Sequence, residues 1–369
     1  MRVVIAGGFT GGHIFCALAI ARALRAARPD VALLIVGARG GMEVPIAQAA
    51  GFAVETVWLD GLERRLTARA VARSLLLPVK LGVSLAQAGA SLRRFRPDVV
   101  VGVGAYVSFP TVAMAALAGI PVLLHEANAR PGIANQLLAR RADVVCLGIA
   151  AAATRFRGAK VGRVVHTGNP IRDDLANATA PSRREARRRL GLAAERKTVL
   201  VMGGSLGASR LNDWVLGAER QLATFELQLL WQTGRAHLAD CRARFGGAPN
   251  IRPVPFIDDM PAAYAAADLV VAGAGAMTLA ELGCLAKPAI IVPDRNVSED
   301  HQLQNADAVR AQGGVVRDEL VLGPALTEQL RALTADDVRL RELGLRMAAT
   351  AAPGAADRIA AEIVALARR

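Results

Sequence analysis

Aromatic residues are scarce in this chain: Phe, Trp and Tyr together make up 4% of 369 residues. A hydrophobic core must then be aliphatic, built on Ala, Val, Leu and Ile, and there is no stock of rings for a base-stacking platform. Cysteine is also scarce. Cys16, Cys146, Cys241 and Cys284 stand far apart, with no Cys-x-x-Cys pair and no Cys/His spacing that would ligate a metal. That pattern argues against a disulfide framework and a structural zinc site, and fits a reducing compartment. No secretory signal is expected, because Met1-Arg2 leads straight into the apolar run Val3-Val4-Ile5-Ala6 and then glycines. Acidic residues are short in one half only. Residues 1–172 hold 21 Lys+Arg against 8 Asp+Glu, while the rest holds 24 of each, so the whole net charge of +13 sits in the first half. A basic half points to an anionic partner: a polyphosphate, an anionic lipid surface or a nucleic acid.

What is present is a globular composition, 53% hydrophobic and 21% charged, at a length that suits two domains of about 150–200 residues each. Residues 99–124 carry no charge and are long enough to imitate a membrane span. Pro110, Pro121 and the glycines at 102, 104 and 119 break that run into strand, short helix and strand. Short β-branched runs predict strands over 3–6, 31–36, 54–58, 99–103, 122–124 and 144–147. Helical patterns fall between them, over 14–27, 42–50, 70–94 with an interruption at Pro78, and 133–141. After Thr167-Gly168-Asn169-Pro170 the pattern restarts with an Arg-rich helix at 183–189 and strands over 197–202, 227–232, 251–254, 269–271 and 289–292. Strands alternating with helices imply parallel sheets. The expected fold is therefore α/β, with two Rossmann-like, doubly wound parallel-sheet domains facing a cleft. The expected domains are 1–172 and 173–350, with an amphipathic helix over 351–369 returning to the first.

Three glycine turns follow predicted strands. The first is Gly7-Gly8-Phe9-Thr10-Gly11-Gly12-His13, the second Gly203-Gly204-Ser205-Leu206-Gly207-Ala208. Such turns let backbone N–H groups and a helix N-terminus approach phosphate. Neither is Gly-x-Gly-x-x-Gly, and no Gly-x-x-x-x-Gly-Lys-[Ser/Thr] occurs, so a dinucleotide fingerprint and a P-loop are unsupported. His13 sits where a helix begins and can serve as a base or as an ordinary helix-start residue. The third turn runs Gly273-Ala274-Gly275-Ala276-Met277-Thr278-Leu279-Ala280-Glu281. Its helix start, at Ala276, Met277 and Thr278, offers N–H donors suited to a diphosphate. Glu281 is placed either to accept from ribose hydroxyls or to stabilise the helix dipole as a first-turn carboxylate.

Seven ordered blocks carry a family resemblance along essentially the whole chain. They are Thr10-Gly11-Gly12-His13-Ile14-Phe15, the loop 102–110, His125-Glu126-Ala127-Asn128, Gly168-Asn169-Pro170-Ile171-Arg172, Gly203-Gly204-Ser205, Phe256-Ile257-Asp258-Asp259-Met260, and Asp300-His301-Gln302 with Asn305-Ala306. The chain resembles the bacterial cell-wall glycosyltransferases that add N-acetylglucosamine to the lipid-linked muramoyl-pentapeptide precursor, enzymes of GT-B fold. The resemblance implies inverting transfer from UDP-N-acetylglucosamine to a 4-hydroxyl, without a metal or other cofactor; no Asp-x-Asp motif is present. It implies a donor site of Thr10, Gly11, Gly12, Asn128, Arg172, Ser205, Ile257 by its backbone, Ala276, Met277, Thr278, Leu279, Ala280, Glu281 and Gln302. His13 and Glu126 are its candidates for the general base. Arg172 suits a diphosphate because its planar fork binds phosphate oxygens bidentately. The sequence departs from the family pattern at Phe9, Ala105 and Phe109, where glycine is usual, at Cys16 for proline, at Ala127 for glutamine, and at Gly273 for arginine.

The membrane reading rests on Arg64, Arg65, Arg69, Arg73 and Lys80, interleaved with Leu75, Leu76, Leu77, Leu81 and Val83 and followed by Arg93, Arg94 and Arg96. A basic segment with an apolar face reads as a membrane-surface helix, and the resemblance implies peripheral attachment to the cytoplasmic face, where the undecaprenyl-diphosphate-linked acceptor lies. Two other readings compete: a related transferase with a different lipid or natural-product acceptor, and a basic nucleic-acid-binding protein without catalysis. Against the second, the motifs line strand ends rather than an exposed basic face.

Overall fold

The computed structural model describes residues 1–8, 11–59, 76–157, 161–176, 181–203, 209–295, 301–317 and 322–368. Phe9, Thr10, Arg64, Arg65, Arg69, Arg73, Leu75, Ser205 and Asp300 lie outside them. The chain divides into two compact units, one of Met1–Arg172 with Gly354–Arg369 and one of Asp173–Pro353.

The first unit is a parallel seven-stranded sheet. Its strands are β1 (Arg2–Ala6), β2 (Ala32–Ala38), β3 (Ala53–Val57), β4 (Val99–Gly102), β5 (Val122–Glu126), β6 (Val144–Leu147) and β7 (Arg163–His166), in the order β3-β2-β1-β4-β5-β6-β7. The second unit is a parallel six-stranded sheet of β8 (Lys197–Met202), β9 (Leu227–Gln232), β10 (Ile251–Val254), β11 (Leu269–Ala272), β12 (Ala289–Ile291) and β13 (Val315–Val316), ordered β10-β9-β8-β11-β12-β13. Both are doubly wound sheets. In each, the strand order reverses beside the first strand, and the crevice outside the carboxyl ends at that point is where such folds bind ligands. The reversal falls between β1 and β4 in one unit and between β8 and β11 in the other, where the glycine turns leave their strands.

The central strands are buried on both faces, which is why they read as unbroken apolar runs. The first core is aliphatic as expected, drawn from residues such as Val4, Val100, Leu124 and Val145. The second departs from the expectation, because Trp214 and Trp231 sit in it. Each indole N–H has a partner, Thr327 Oγ1 at 3.1 Å and Asn212 Oδ1 at 2.9 Å, as buried tryptophans require. Two strands have no counterpart in the sequence reading. β7 is an edge strand, mostly exposed, and β13 is two half-buried residues, so neither carries a buried apolar run.

Other elements differ in their limits. Of the helical region expected over 70–94 with an interruption at Pro78, residues 70–75 lie outside the described ones, and the rest is one helix. It spans Leu77–Phe95, and Pro78 occupies its first turn, where a missing N–H does no harm. The Ala105–Leu117 helix contains Pro110 and is buried along one side. The last helix, Ala355–Leu366, buries Ile359, Ala360, Ile363 and Leu366 and packs on the Gly11–Ala27 helix. Arg358 donates to the Thr167 carbonyl at 2.7 Å, and Glu362 pairs with Arg163 on β7.

Candidate active site

At the switch point of the first unit two glycine loops meet. Gly7 leaves β1 so close to β4 that a Cβ there would lie 2.3 Å from Val103 Cγ2. Gly104, at φ +96°, precedes the Ala105–Leu117 helix, and the His13 ring rests on it: a Cβ on Gly104 would lie 3.0 Å from His13 Nε2. His13 is half-buried, the third residue of the Gly11–Ala27 helix. That helix start, with Gly11 and Gly12, and the Gly104 loop thus form one surface. Ala105 keeps the left-handed conformation, φ +63°, that the family's glycine would adopt freely. An L side chain there costs about 1–2 kcal/mol. Phe109 packs against the first core.

Glu43, a residue the sequence reading missed, lies beneath the first turn. It is fully buried and accepts from the Ala38 N–H at 2.6 Å. A Cβ on Gly8 would lie 2.4 Å from its carboxyl carbon.

Glu126 ends β5 and is buried, 3% exposed. Its Oε1 accepts from the Asn128 N–H at 2.9 Å and from Asn128 Nδ2 at 3.3 Å. Its Oε2 accepts from the Gly132 N–H at 3.0 Å and from Asn135 Nδ2 at 2.8 Å. Burial pushes this carboxyl up from its ordinary value, and the four donors oppose that shift. A carboxylate offers about four lone-pair sites, and all four are engaged. The geometry therefore makes Glu126 a clamp that shapes the 126–135 loop, and it favours His13 over Glu126 as the base. Asn135, which the sequence reading did not single out, also donates to the His125 carbonyl at 3.1 Å. No sequence pattern marks it, since it is a buried polar residue on a short apolar helix.

His125 is fully buried. Its Nε2 faces the Gly168 carbonyl at 3.4 Å, and its Nδ1 faces Cys16 Sγ at 3.4 Å. A carbonyl only accepts, so Nε2 carries the proton and Nδ1 accepts from the thiol. Burial pushes the imidazole down to about 4; the Gly168 bond opposes this and the nearby His13 adds to it. Burial pushes the Cys16 thiol up, so it stays protonated. Cys16, where proline is usual, thereby links the helix carrying His13 to β5 and to the 168–172 turn. Asn169 Nδ2 ties that turn to the Ala127 carbonyl at 2.9 Å. Arg172, at its end, stacks its guanidinium 4.8 Å from the centroid of the Phe15 ring.

The switch point of the second unit holds the third glycine turn. Gly275, which has no side chain of its own to cap the turn, precedes the Ala276–Cys284 helix. The Leu279 N–H already bonds the Gly275 carbonyl at 2.9 Å, and Ala280 lies deeper in the ladder. The helix's own hydrogen-bond ladder thus takes up the N–H groups from Leu279 onward and leaves out those of its first turn, Ala276 to Thr278. Gln302 Oε1 accepts from the Ala274 N–H at 2.8 Å and from the Asp294 N–H at 3.0 Å. Both partners are donors, so the amide nitrogen of Gln302 is turned away from them and suits a hydroxyl. Asn305 Nδ2 holds the Ala274 carbonyl at 3.0 Å. Gly273, where arginine is usual, leaves room for this clamp: a Cβ there would lie 3.1 Å from Gln302 Oε1. Glu281 lies in the second helical turn and not the first, and Tyr264 donates to it at 2.8 Å. The Ile257 N–H donates to Gln232 Oε1 at 3.0 Å, so only its carbonyl is left for a ligand. Tyr264 and Gln232 were missed for want of any local motif.

The structure thus brings the expected residues together in two sets, one per sheet: Gly11, Gly12, His13, Glu126, Asn128 and Arg172 in the first, and Ile257, Ala276–Glu281 and Gln302 in the second. Lys80 belongs to neither, nor to an exposed basic face. It is buried, 8% exposed, with its Nζ 5.6 Å from the centroid of the Trp58 ring. This corrects its assignment to a lipid-facing surface: the aliphatic stem packs and the ammonium sits over the indole.

Comparison with known proteins agrees along the length. Residues 3–147 match the glycosyltransferase family 28 N-terminal domain and residues 198–359 the glycosyltransferase family 28 C-terminal domain. A UDP-N-acetylglucosamine–N-acetylmuramyl-(pentapeptide) pyrophosphoryl-undecaprenol N-acetylglucosamine transferase of Bacteroides fragilis is 40% identical over 375 residues, covering 100% of this chain and 96% of its own. The protein of the same name from Moorella thermoacetica is 40% identical and covers 97% of both. The crystal structure of Acinetobacter baumannii MurG superposes with a TM-score of 0.73 at 27% identity, over 99% of each chain. A UDP-N-acetylglucosamine 2-epimerase shares the fold alone, at a TM-score of 0.69 and 15% identity.

Proposed function

The chain belongs to glycosyltransferase family 28, and from that premise we propose that it transfers N-acetylglucosamine from UDP-N-acetylglucosamine to the 4-hydroxyl of lipid-linked N-acetylmuramoyl-pentapeptide. The observation that carries the donor half is the Ala276–Cys284 helix, which starts behind a glycine N-cap at a sheet switch point. Its N–H groups and positive dipole end suit the diphosphate of UDP. Glu281, fixed by Tyr264, accepts from the ribose hydroxyls, the Ile257 carbonyl from the uracil, and Gln302 donates to the sugar. Arg172 serves the leaving diphosphate.

On the acceptor side His13 removes the proton from the attacking hydroxyl, and the oxygen displaces UDP at the anomeric carbon with inversion. The helix start and Arg172 stabilise the leaving group, in place of a metal. Glu126, Asn135, Cys16 and His125 hold this surface in shape without touching the reacting atoms. The alternative of a non-catalytic nucleic-acid binder has family membership against it along the whole length.

Attachment to the cytoplasmic face of a membrane is part of this reading. Among the described residues no helix is long and apolar enough to cross a membrane. Leu76 and Val79, Leu117, and Ile133 and Leu137 are exposed on three helices that pack in succession, and Arg140 and Arg141 follow the last of them. Apolar side chains beside arginines support contact with an anionic lipid surface.

The test is transfer from radiolabelled UDP-N-acetylglucosamine to a short-chain analogue of the muramoyl-pentapeptide lipid, with EDTA present. Labelled lipid product is expected. No product alongside measurable UDP binding would overturn the acceptor assignment while leaving the donor site standing.

A further inference from the structure

The donor turns use only the carboxyl ends of the second sheet. At the opposite ends, ahead of β11 and β12, lies a cavity of about 570 Å³ lined by residues of the second unit alone. Small-ligand sites run to roughly 300–1,000 Å³, so the space admits a ligand rather than a lone water. Leu285 and Pro288 form one wall, and Leu340 and Leu345 of the Asp337–Ala348 helix form another. Leu345 is 71% exposed, an apolar side chain without cover at the rim.

The charges in the wall are unbalanced. Asp268 is buried and already engaged, its Oδ1 by Arg183 at 2.8 Å, its Oδ2 by Arg187 at 2.5 Å and by the Thr198 N–H at 2.7 Å. Asp337 is engaged by Lys197 at 2.7 Å. Arg187 and Lys197 reach these carboxylates from outside the cavity wall, which itself carries Arg183, Lys287 and Arg341. Lys287 donates to the Ala267 carbonyl at 3.2 Å, one bond for a group with three donors. Burial first, and then the cations Arg183 and Arg187, push its ammonium down to about 8; Asp268 opposes them. Asp268, the anion near this lysine, is already engaged by Arg183 and Arg187.

We propose that this cavity binds a phosphate group carried on an apolar body, with Lys287, Arg183 and Arg341 on the phosphate and the leucines on the body. Guanidinium forks match phosphate oxygens bidentately, and an ammonium adds a point charge. The apolar walls give no purchase to inorganic phosphate alone, so the body supplies much of the affinity. The site is independent of the donor turns, which lie beyond the other ends of β11 and β12.

The experiment is amine acetylation of the full chain at pH 8, read at Lys287 by peptide mass spectrometry, with UDP saturating to occupy the donor site. The probes are phenyl phosphate, dihexanoyl phosphatidic acid below its micelle concentration, and inorganic phosphate. Slower labelling of Lys287, but not of Lys197, is expected with at least one of the first two at concentrations where inorganic phosphate does nothing. Phenyl phosphate alone would mark a soluble phosphoester as the ligand, and phosphatidate alone a lipid headgroup. Arg341→Ala should weaken the protection roughly tenfold, the worth of about one charge-assisted hydrogen bond, and should bind UDP as the unaltered chain does. Protection by inorganic phosphate equal to that by the organic phosphates would overturn the apolar half of the proposal. No protection by any probe, or protection undiminished in Arg341→Ala, would overturn the site.

Discussion

Replacing Glu126 by Gln separates a clamp from a catalytic base. Two oxygens of Glu126 take four N–H donors, two of them the backbone groups of Asn128 and Gly132. A carboxamide has one oxygen, so one of those backbone N–H groups must face an NH2 that can only donate. The asparagine amides can flip to adapt, but the backbone cannot. Each charge-assisted bond is worth about 1.5–3 kcal/mol, and an orphaned buried donor costs about 1–3 kcal/mol. Part of this is offset, because burial already penalises the charged form of Glu126. The expected net loss is about 3 kcal/mol from the first unit, a large part of the roughly 5–15 kcal/mol that holds a domain. For a unit of this size that lowers the midpoint of its unfolding by roughly 10 °C. Scanning calorimetry on the full chain, with kcat and KM for UDP-N-acetylglucosamine at a temperature below both midpoints, reads the two roles separately. A base would show the reverse pattern, kcat down by about 10²–10⁴ with stability unchanged. An unmoved midpoint together with such a fall in kcat would refute the clamp and return Glu126 to the catalytic role.

Three further outcomes follow from the same geometry. The first is a pH dependence. His125 is held neutral, its pKa lowered from 6.5 to about 4 in the folded chain. The unfolded chain binds the extra proton first, so this stability is complete above about pH 6.5 and is lost on acidification toward 4. About 2 kcal/mol should be gone by pH 5; urea unfolding of the first unit at pH 7 and 5 measures it, and His125→Gln should remove that share of the slope. Ala105→Gly should raise stability by roughly 0.5–1 kcal/mol, since it relieves a left-handed alanine and gives back part of the gain as unfolded-chain entropy; a lower melting midpoint would contradict the strain at φ +63°. His13→Ala should bind UDP nearly as before while kcat falls by about 10²–10⁴, whereas Arg172→Ala should weaken UDP binding; turnover of His13→Ala at the unaltered rate would reassign the base.

The division between sequence and tertiary structure runs along chain separation. Strands buried on both faces, such as Val99–Gly102 and Leu269–Ala272, are continuous apolar runs, so their places and the two-sheet repetition are readable directly. The glycine turns are readable for the same local reason, because a strand, a glycine and a helix start are consecutive in the chain. β7 and β13 escaped because edge strands need no buried run. Residues whose meaning depends on a distant partner escaped too. Glu126 was legible as a carboxylate in a motif, but only the folding of the loop around it filled its four acceptor positions. Lys80 read as a surface cation until Trp58 and the first core covered it. Cys16 meets His125 across 109 residues of chain, and Gln302 reaches Ala274 from the far side of β12. Local propensity and burial period are properties of neighbouring residues, so the amino-acid order determined elements, fold and donor motif. Protonation, hydrogen-bond saturation and exposure depend on what packs against a side chain, and those only the tertiary structure decided.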